Sequence, residues 1–472
     1  MTTSTSSPTT LSQCLPPVNA EERARLVREV TMAGNCSHPI RLRGDMVNLA
    51  TGEINESQLR VACKDRRQVV CPSCSYLYRT DAWILVASGL VGGKRTPESI
   101  ASHPRLFVTL TAPSFGPVHT ITDRGSCVAH PVTDTDASAH PHIHITTCSI
   151  RHPEHDPQLG RPLCPECFDY EGLVLWNAHS SRLWRRTILH VRRSLAEEAG
   201  VSQSHIRRAI QVNYLKVAEI QRRGAVHFHA IIRADGPDTL EDAPPPWLTS
   251  AVLARAVQRA VHNASVDGLD GSTMRWGRVF DIQDLSLQSE DPTQVASYIA
   301  KYSTKTTDGT SDLARRFKLR RQIENLVENP HARQLALTAW DLGDRDQFAA
   351  LRPRNHAHAF GFTGQLITKS HNYSTTFGAL RAARARHMAA KNLGDPIAGT
   401  FQFEGRGYDD PRAAEVAELF FTMQRQLRSE AAAARRLAHS DAPSERHDTD
   451  PDLSDSEIVG RKASNSKDCE LT

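Results

Sequence analysis

Residues 214–221 and 227–232 alternate apolar and polar side chains with the two-residue period of a strand. Between them lie Arg222, Arg223, Gly224 and Ala225, and a glycine at such a place supplies the backbone angles of a hairpin turn. Alternation puts His227 and His229 on one face and sends Phe228, Ala230 and Ile232 to the other, into a core. Closing the hairpin brings Glu219 beside the histidine pair. Residues 106–111, rich in Val, Thr and Phe, predict a further strand, and 274–282 another. Helical spacing predicts helices over 21–32, 83–90, 181–199, 248–264, 313–342, 377–390 and 410–437. The stretch 291–305 reads as a capped helix, with Asp291 as the cap and Pro292 at its first position. Residues 113–157 and 235–246 read as loops.

Composition adds limits to this pattern. A chain of 472 residues, 39% hydrophobic, is long enough for two or three domains with a sizeable core. It holds no run of some 18 apolar residues, so no membrane span is expected. The N-terminus lacks the basic flank and apolar run of a secretory signal, so a cytoplasmic protein is expected. The net charge of +4 hides an asymmetry. Residues 182–223 carry nine arginines and one lysine against three glutamates, a local +7 suited to a phosphate backbone. Within that region Arg185, Arg186, Arg222 and Arg223 are the candidate DNA contacts. Residues 441–472 carry nine acidic and four basic side chains, a local −5 that reads as a solvated tail. Gly92-Gly93-Lys94 invites a nucleotide-binding reading, but the P-loop pattern needs glycine at position 88, which is serine.

Ten cysteines in a cytoplasmic chain argue for metal binding over disulfides. Cys71-Pro-Ser-Cys74 and Cys164-Pro-Glu-Cys167 have the two-residue spacing that lets both thiolates bind one tetrahedral zinc. Cys36 and Cys63 are candidates to complete the first site. Cys148, Cys164, Cys167 and one of Cys127, His152 or His155 are candidates for a second. The alternative is a single zinc shared by Cys71, Cys74, Cys164 and Cys167. Two imidazoles and a carboxylate, His227, His229 and Glu219, make a different set, fit for a divalent ion with positions left for substrate. Gln221, on the same strand face, is the alternative third ligand. With 22 histidines in 472 residues, about one His-x-His arises by chance (22 × 22/472). His142-Ile-His144 is a second candidate pair, and His356-Ala-His358 repeats the spacing.

The helix over 291–305 gives the histidine pair its weight. Tyr298 and Tyr302 are four apart, on one face, and Lys305 follows three later. An activated tyrosine hydroxyl is a covalent nucleophile, although tyrosines on a helix face are more often core or rim residues. The ordered set Leu106-Phe-Val-Thr-Leu-Thr-Ala-Pro-Ser114, His227-Phe-His229 and Tyr298-Ile-Ala-Lys-Tyr302-Ser-Thr-Lys305 resembles the three motifs of rolling-circle replication initiators of the HUH (His, hydrophobic, His) endonuclease superfamily. More narrowly, the chain resembles initiators of actinobacterial plasmids and integrative conjugative elements. The segments at 71–74, 160–170, 174–179 and 368–381 support this, and the resemblance runs from about residue 36 to 386.

The resemblance implies an α+β fold, a central antiparallel sheet with flanking helices of the HUH nuclease type, carrying zinc-binding insertions and a helical C-terminal region. The expected organisation is a disordered segment at 1–20, a Cys-rich zinc-binding region at 21–105 and a nuclease domain at 106–310 with a Cys/His-rich insertion around 115–170. A helical, Arg-rich region at 311–438 and a disordered acidic tail at 439–472 complete it. The implied activity is nicking and rejoining of single-stranded or cruciform origin DNA, with Mg²⁺ or Mn²⁺ on His227, His229 and Glu219 and zinc in a structural role. Tyr302 is the implied nucleophile and Tyr298 a second one, as in the paired-tyrosine arrangement of some small-phage initiators. Lys305 or Lys301 would steady the phosphate or the phenol. A host helicase and polymerase are the implied partners. Two other readings stay open: a transposase or relaxase of the same superfamily, and a non-catalytic zinc-bearing DNA-binding protein.

Overall fold

The hairpin drawn from the alternation lies in the middle of a five-stranded sheet. The computed structural model describes residues 19–121, 148, 150–154, 156–285, 292–304, 316–391 and 397–440. The side chains of 292, 293, 302–304, 388–391, 397 and 432–440 fall outside the described set. So do the expected N-terminal and acidic-tail disorder, Cys14, Cys127, Cys469, the His140–His144 run, His155, the Asp291 cap and Lys305.

In chain order the helices and strands are α1 (Ala20–Met32), β1 (Ile40–Asn48), β2 (Ile54–Val61), α2 (Pro72–Val91), β3 (Arg105–Leu110), α3 (Tyr170–Glu198), α4 (Gln203–Ala209), β4 (Gln211–Ile220), β5 (Val226–Asp235) and α5 (Ser250–Asn263). There follow β6 (Ser265–Asp267), β7 (Thr273–Arg275), β8 (Phe280–Asp284), α6 (Pro292–Thr304), α7 (Arg320–Leu326), α8 (Pro330–Asp341), β9 (Ile367–Lys369), α9 (Phe377–Lys391), β10 (Ile397–Arg406) and α10 (Pro411–Ser440). The main sheet runs β8-β3-β5-β4-β9, with every pairing antiparallel. With helices on both of its faces, the fold is α+β. None of the described helices is long and apolar enough to cross a membrane.

The β4–β5 turn closes with Gln221 donating to Ala225 and Gly224 donating to Gln221, at 2.9 and 2.8 Å. Gly224 has φ +86°, and a Cβ there would fall 2.3 Å from Leu335 on α8, so the turn needs glycine twice over. The strands then present two faces. Phe228, Ala230 and Ile232 join Leu106, Val108 and Leu110 under α3, α5 and α8. Phe107, Leu215, Val217 and Ile231 pack on the other side against α2, Ala296 and Ile299 of α6, and Tyr373. Tyr373 lies so close to α2 that a Cβ on Gly89 would stand 2.1 Å from its ring. Asn329 caps α8 through its side chain, Thr249 caps α5, and Asp169 caps α3.

Several expected bounds move. The helix expected at 181–199 begins eleven residues earlier, because Asp169 caps it at Tyr170. The strand expected at 274–282 is two strands, β7 and β8. They part around Gly277, where a Cβ would meet Ala112 O at 2.5 Å. The helix expected at 313–342 breaks at 327–329, before the Asn329-Pro330 start of α8. The region expected to be helical at 311–438 also supplies β9 to the main sheet and β10 to a second one. That second sheet, β10-β1-β2, joins strands from residues 40–61 and 397–406. Leu26 and Val30 of α1 pack there with Ala413, Val416 and Ala417 of α10. The chain divides into a first unit ending at Phe421 and a second from Thr422, whose described part is the remainder of α10.

Lys216 is a polar intruder in the Phe228 face. Its ammonium lies 3.9 Å from the Phe228 ring centroid and 6.0 Å from that of Trp184, with no hydrogen-bond partner among the described residues. Burial pushes its pKa down to about 7. The unfolded chain therefore binds one more proton than the fold between about pH 7 and 10.5, and stability rises with pH across that window. The slope from this group is at most about 1.4 kcal/mol per pH unit. The Lys216→Met variant should be more stable than the parent at pH 7, and the gap should close toward pH 10. Urea unfolding at several pH values would measure it; a gap independent of pH would refute the assignment.

Candidate active site and metal centres

The register of β4 and β5 sets Glu219 opposite His227, with His229 one pleat further along the same face. Glu219 Oε2 lies 3.4 Å from His229 Nε2. The two imidazole rings stand 4.6 Å apart at 73°. The Nδ1 of His229 meets Thr109 Oγ1 of β3 at 3.5 Å. The Nδ1 of His227 is buried with no hydrogen-bond partner among the described residues. Such an orphan costs on the order of 1–3 kcal/mol unless something satisfies it. Burial, helped by the neighbouring His229, pushes the His227 pKa down to about 4. The ring is neutral at pH 7 with a lone pair to offer, as a metal ligand must be. The donor set therefore fits a divalent cation. Gln221, the alternative ligand, accepts from Arg223 Nε through its own side-chain oxygen at 3.0 Å, whereas Glu219 reaches His229.

Helix α6 lies over this face. Ala296 and Ile299 are buried against Phe107, Leu215, Val217 and Ile231. Tyr298 sits one step around the helix, with its ring edge-on to His229 at 5.6 Å between centroids and to Phe107 at 5.8 Å. It is 44% exposed, so one phenol both touches the trio and reaches solvent. Trp83 Nε1 donates to Ser297 Oγ at 3.2 Å and fixes α6 against α2. The backbone of Tyr302 follows one turn later on α6, and Lys301 is exposed beside it.

The four candidate DNA-binding arginines separate. Arg185 and Arg186 are exposed on α3, where with Arg182, Leu189 and residues 265–267 they line a shallow cavity of about 430 Å³. Because α3 covers the Phe228 side, this basic patch lies across the sheet from His229. Arg222 and Arg223, in the β4–β5 turn, are part-buried and make hydrogen bonds to the protein's own backbone. Arg222 Nη1 donates to Glu154 O at 2.9 Å, and Arg223 donates to Pro113 O and Ala112 O at 3.0 and 3.2 Å. Turn arginines look exposed in a sequence; here two neighbouring loops close over them.

Elsewhere, donor atoms of three or more metal-ligating side chains come within 4.8 Å of one another at two places among the described residues, and both are tighter than the hairpin trio. The first is Cys36, Cys63, Cys71 and Cys74. Cys36 and Cys63 follow α1 and β2, and Cys71 and Cys74 open α2. The Cys36 and Cys71 sulfurs are 3.7 Å apart, against the edge of about 3.8 Å that a tetrahedron of Zn–S bonds near 2.3 Å would have. Contact with Cys36 and Cys63 pushes the Cys71 thiol pKa down, while contact with Cys36 pushes that of Cys74 up. Tyr408 donates its hydroxyl to Cys36 O at 2.8 Å. The side chains grouped with Cys71 and Cys74 are those of Cys36 and Cys63, not the Cys164 and Cys167 of the shared-zinc alternative. The second place is His119, Cys148 and His152. Cys164 and Cys167 lie 3.1 Å apart. His119 carried no spacing signal; a bridge between Val118 and Pro162 brings it there.

The family model described as replication initiator protein, pSAM2, matches residues 22–421. A replication initiator protein of Streptomyces ambofaciens is 36% identical over 408 residues, covering 81% of this chain and 84% of the relative. No solved structure matches the chain.

Proposed function

The chain belongs to the pSAM2 family of replication initiators, and from that premise we propose that it opens rolling-circle replication as an HUH-type endonuclease, cutting and resealing one strand of its origin. The observation that carries this is the Tyr298 ring resting on His229, on the face shared with His227 and Glu219. His227, His229 and Glu219 would hold the catalytic ion. Bound there, Mg²⁺ or Mn²⁺ supplies Lewis-acid polarisation of the scissile phosphate. A tyrosine phenol attacks phosphorus; the P–O bond to tyrosine forms, the bond to the 3′-oxygen breaks, and the phenol proton ends on the 3′-hydroxyl. Tyr302 makes the first cut and Tyr298 takes the strand in the return step, both from one face of α6. Lys301 and Lys305 offset charge on the phosphate. The 5′-phosphate stays on the protein, so resealing needs no nucleotide triphosphate, and the 3′-hydroxyl is left for a host polymerase behind a host helicase. Arg185 and Arg186 hold flanking DNA on the outer face of α3. The Cys36, Cys63, Cys71 and Cys74 cluster holds a structural zinc.

The direct test is incubation of the full chain with single-stranded DNA from upstream of and within its own gene, plus Mn²⁺. A protein–DNA adduct on the 5′ side of one position, surviving denaturation, is the expected product. A chain that binds this DNA and gives no adduct with any strand would leave only a DNA-binding protein. For the third ligand, Glu219→Ala should weaken Mn²⁺ binding by about tenfold or more, and Gln221→Ala should leave it near the parent. Titration followed by calorimetry separates the two, and the reverse order would move the ligand to Gln221.

A further inference from the structure

We infer that His119, Cys148 and His152 form a second transition-metal site, of the kind that takes zinc, and that it braces the turn of the histidine hairpin. His152 is the centre. Its Nε2 faces Cys148 Sγ at 3.5 Å and His119 Nδ1 at 3.0 Å. A tetrahedral zinc with bonds of about 2.0–2.1 Å to nitrogen and 2.3 Å to sulfur would set these edges near 3.4–3.6 Å. The other nitrogen of the ring, Nδ1, meets Asp156 Oδ2 at 2.7 Å. A carboxylate behind a histidine in this way fixes the ring and turns its second nitrogen toward a metal. His152 is 5% exposed, and His119 and Cys148 are part-buried beside it. One thiolate and two imidazoles suit zinc and leave a fourth position.

The site sits where it can act on the hairpin. His119 N donates to Arg161 O, Gly160 N to His119 O, and Leu163 N to Pro117 O, each at 2.9–3.0 Å. These bonds zip the segment after β3 to the loop that follows Cys148. That loop lies on the β4–β5 turn: Glu154 O accepts from Arg222, and a Cβ on Gly160 would stand 2.5 Å from Arg222 Cβ and 2.8 Å from Arg223 N. A metal on His119, Cys148 and His152 would cross-link both sides of this zip and hold the turn from which Glu219 and His227 depart. The bracing role rests on the reading of the hairpin as catalytic; the metal site does not.

Metal analysis of the full chain, purified without chelator, decides it. The His119→Ala, His152→Ala double variant is expected to lose about one equivalent of zinc relative to the parent. The Cys71→Ser, Cys74→Ser variant should lose a different one, so that the two losses add. Asp156→Asn keeps every donor atom and guards against a variant that fails to fold; it should release zinc to a chelator about 10–100-fold more readily. Limited proteolysis should then cut faster within 150–163. Unchanged zinc in the histidine variant, or unchanged release from folded Asp156→Asn, would overturn the proposal. So would loss of that equivalent in Cys164→Ser, Cys167→Ser but not in the histidine variant. Zinc content reads the site even where no DNA is cut, so its failure and that of the nicking reading are told apart.

Discussion

The Tyr298→Phe, Tyr302→Phe double variant is expected to lose the covalent DNA adduct altogether, at least about 10³-fold below the parent, while its affinity for Mn²⁺ is unchanged. Phenylalanine keeps the ring that packs edge-on to His229 and removes only the oxygen that would bond to phosphorus. The ligands proposed for the ion, His227, His229 and Glu219, are left in place by these substitutions. The single variants should divide the work. Tyr302→Phe should abolish the first nick, because Tyr302 is the tyrosine of the Tyr-x-x-Lys spacing that carries the resemblance. Tyr298→Phe should still nick but transfer the strand poorly. Denaturing gels of a labelled origin oligonucleotide, with and without a second acceptor strand, separate cutting from transfer. Full cutting by Tyr302→Phe would hand the first attack to Tyr298, which already lies against the trio. An adduct formed by the double variant would end the tyrosine mechanism.

The hairpin was legible because a strand's period is local. His227, His229 and Glu219 fall on one face whatever the rest of the chain does, and Gly224 marks the turn. The tyrosine helix was legible for the same reason, since four-residue spacing and Pro292 are local signals. That α6 packs on the histidine face is a matter of tertiary structure, visible in the sequence only through the resemblance of three ordered motifs. What escaped the sequence is what distant segments decide together. The strand β10 is edged with glycines and polar residues, and it becomes a strand because β1 offers a partner along nine residues. Cys36 and Cys63, by contrast, were named by the sequence as candidates beside Cys71 and Cys74; they are 27 residues apart, and the β1–β2 hairpin between them brings their sulfur atoms together. His119 had neither spacing nor periodicity to mark it. The hydrogen bonds of Arg222 and Arg223 to backbone at 112–113 and 154 were likewise invisible, because a turn between strands is ordinarily solvated. Asp235 was assigned to a loop by the prolines that follow it, yet it ends β5 fully buried.

That aspartate is where the scaffold is most vulnerable, and Asp235→Ala is expected to destabilise the fold by about 3–5 kcal/mol. Asp235 and Arg233 are both 0% exposed, on the sheet face that carries the histidines. Arg233 donates to the two Asp235 oxygens at 2.7 and 2.9 Å, His103 Nδ1 lies 2.7 Å from one of them, and Asn213 Nδ2 donates to the other at 2.7 Å. The Arg233 guanidinium also donates to Gly89 O of α2 and lies 5.3 Å from the Tyr373 ring centroid, so it ties β5 to the elements that flank α6. Removing the carboxylate leaves a guanidinium buried without a counter-charge, and the cost is that of the uncompensated ion rather than of one contact. Burial alone would raise the Asp235 pKa, but hydrogen bonds from His103 and Arg233, followed by the Arg233 charge and Asn213, outweigh it and hold the carboxyl below its usual value. A depressed carboxylate contributes stability that is present above its unfolded pKa of about 3.9 and lost as pH falls through the folded one. The parent should therefore lose this contribution below about pH 4, so the gap between the parent and Asp235→Ala should narrow there. Asp235→Asn keeps the shape and an acceptor but not the charge, and should fall between the two at pH 7. Urea midpoints at pH 7 and along an acid series measure all three. A cost for Asp235→Ala under about 1 kcal/mol would mean that water reaches Arg233 and that this end of the sheet is not the anchor of the histidine face.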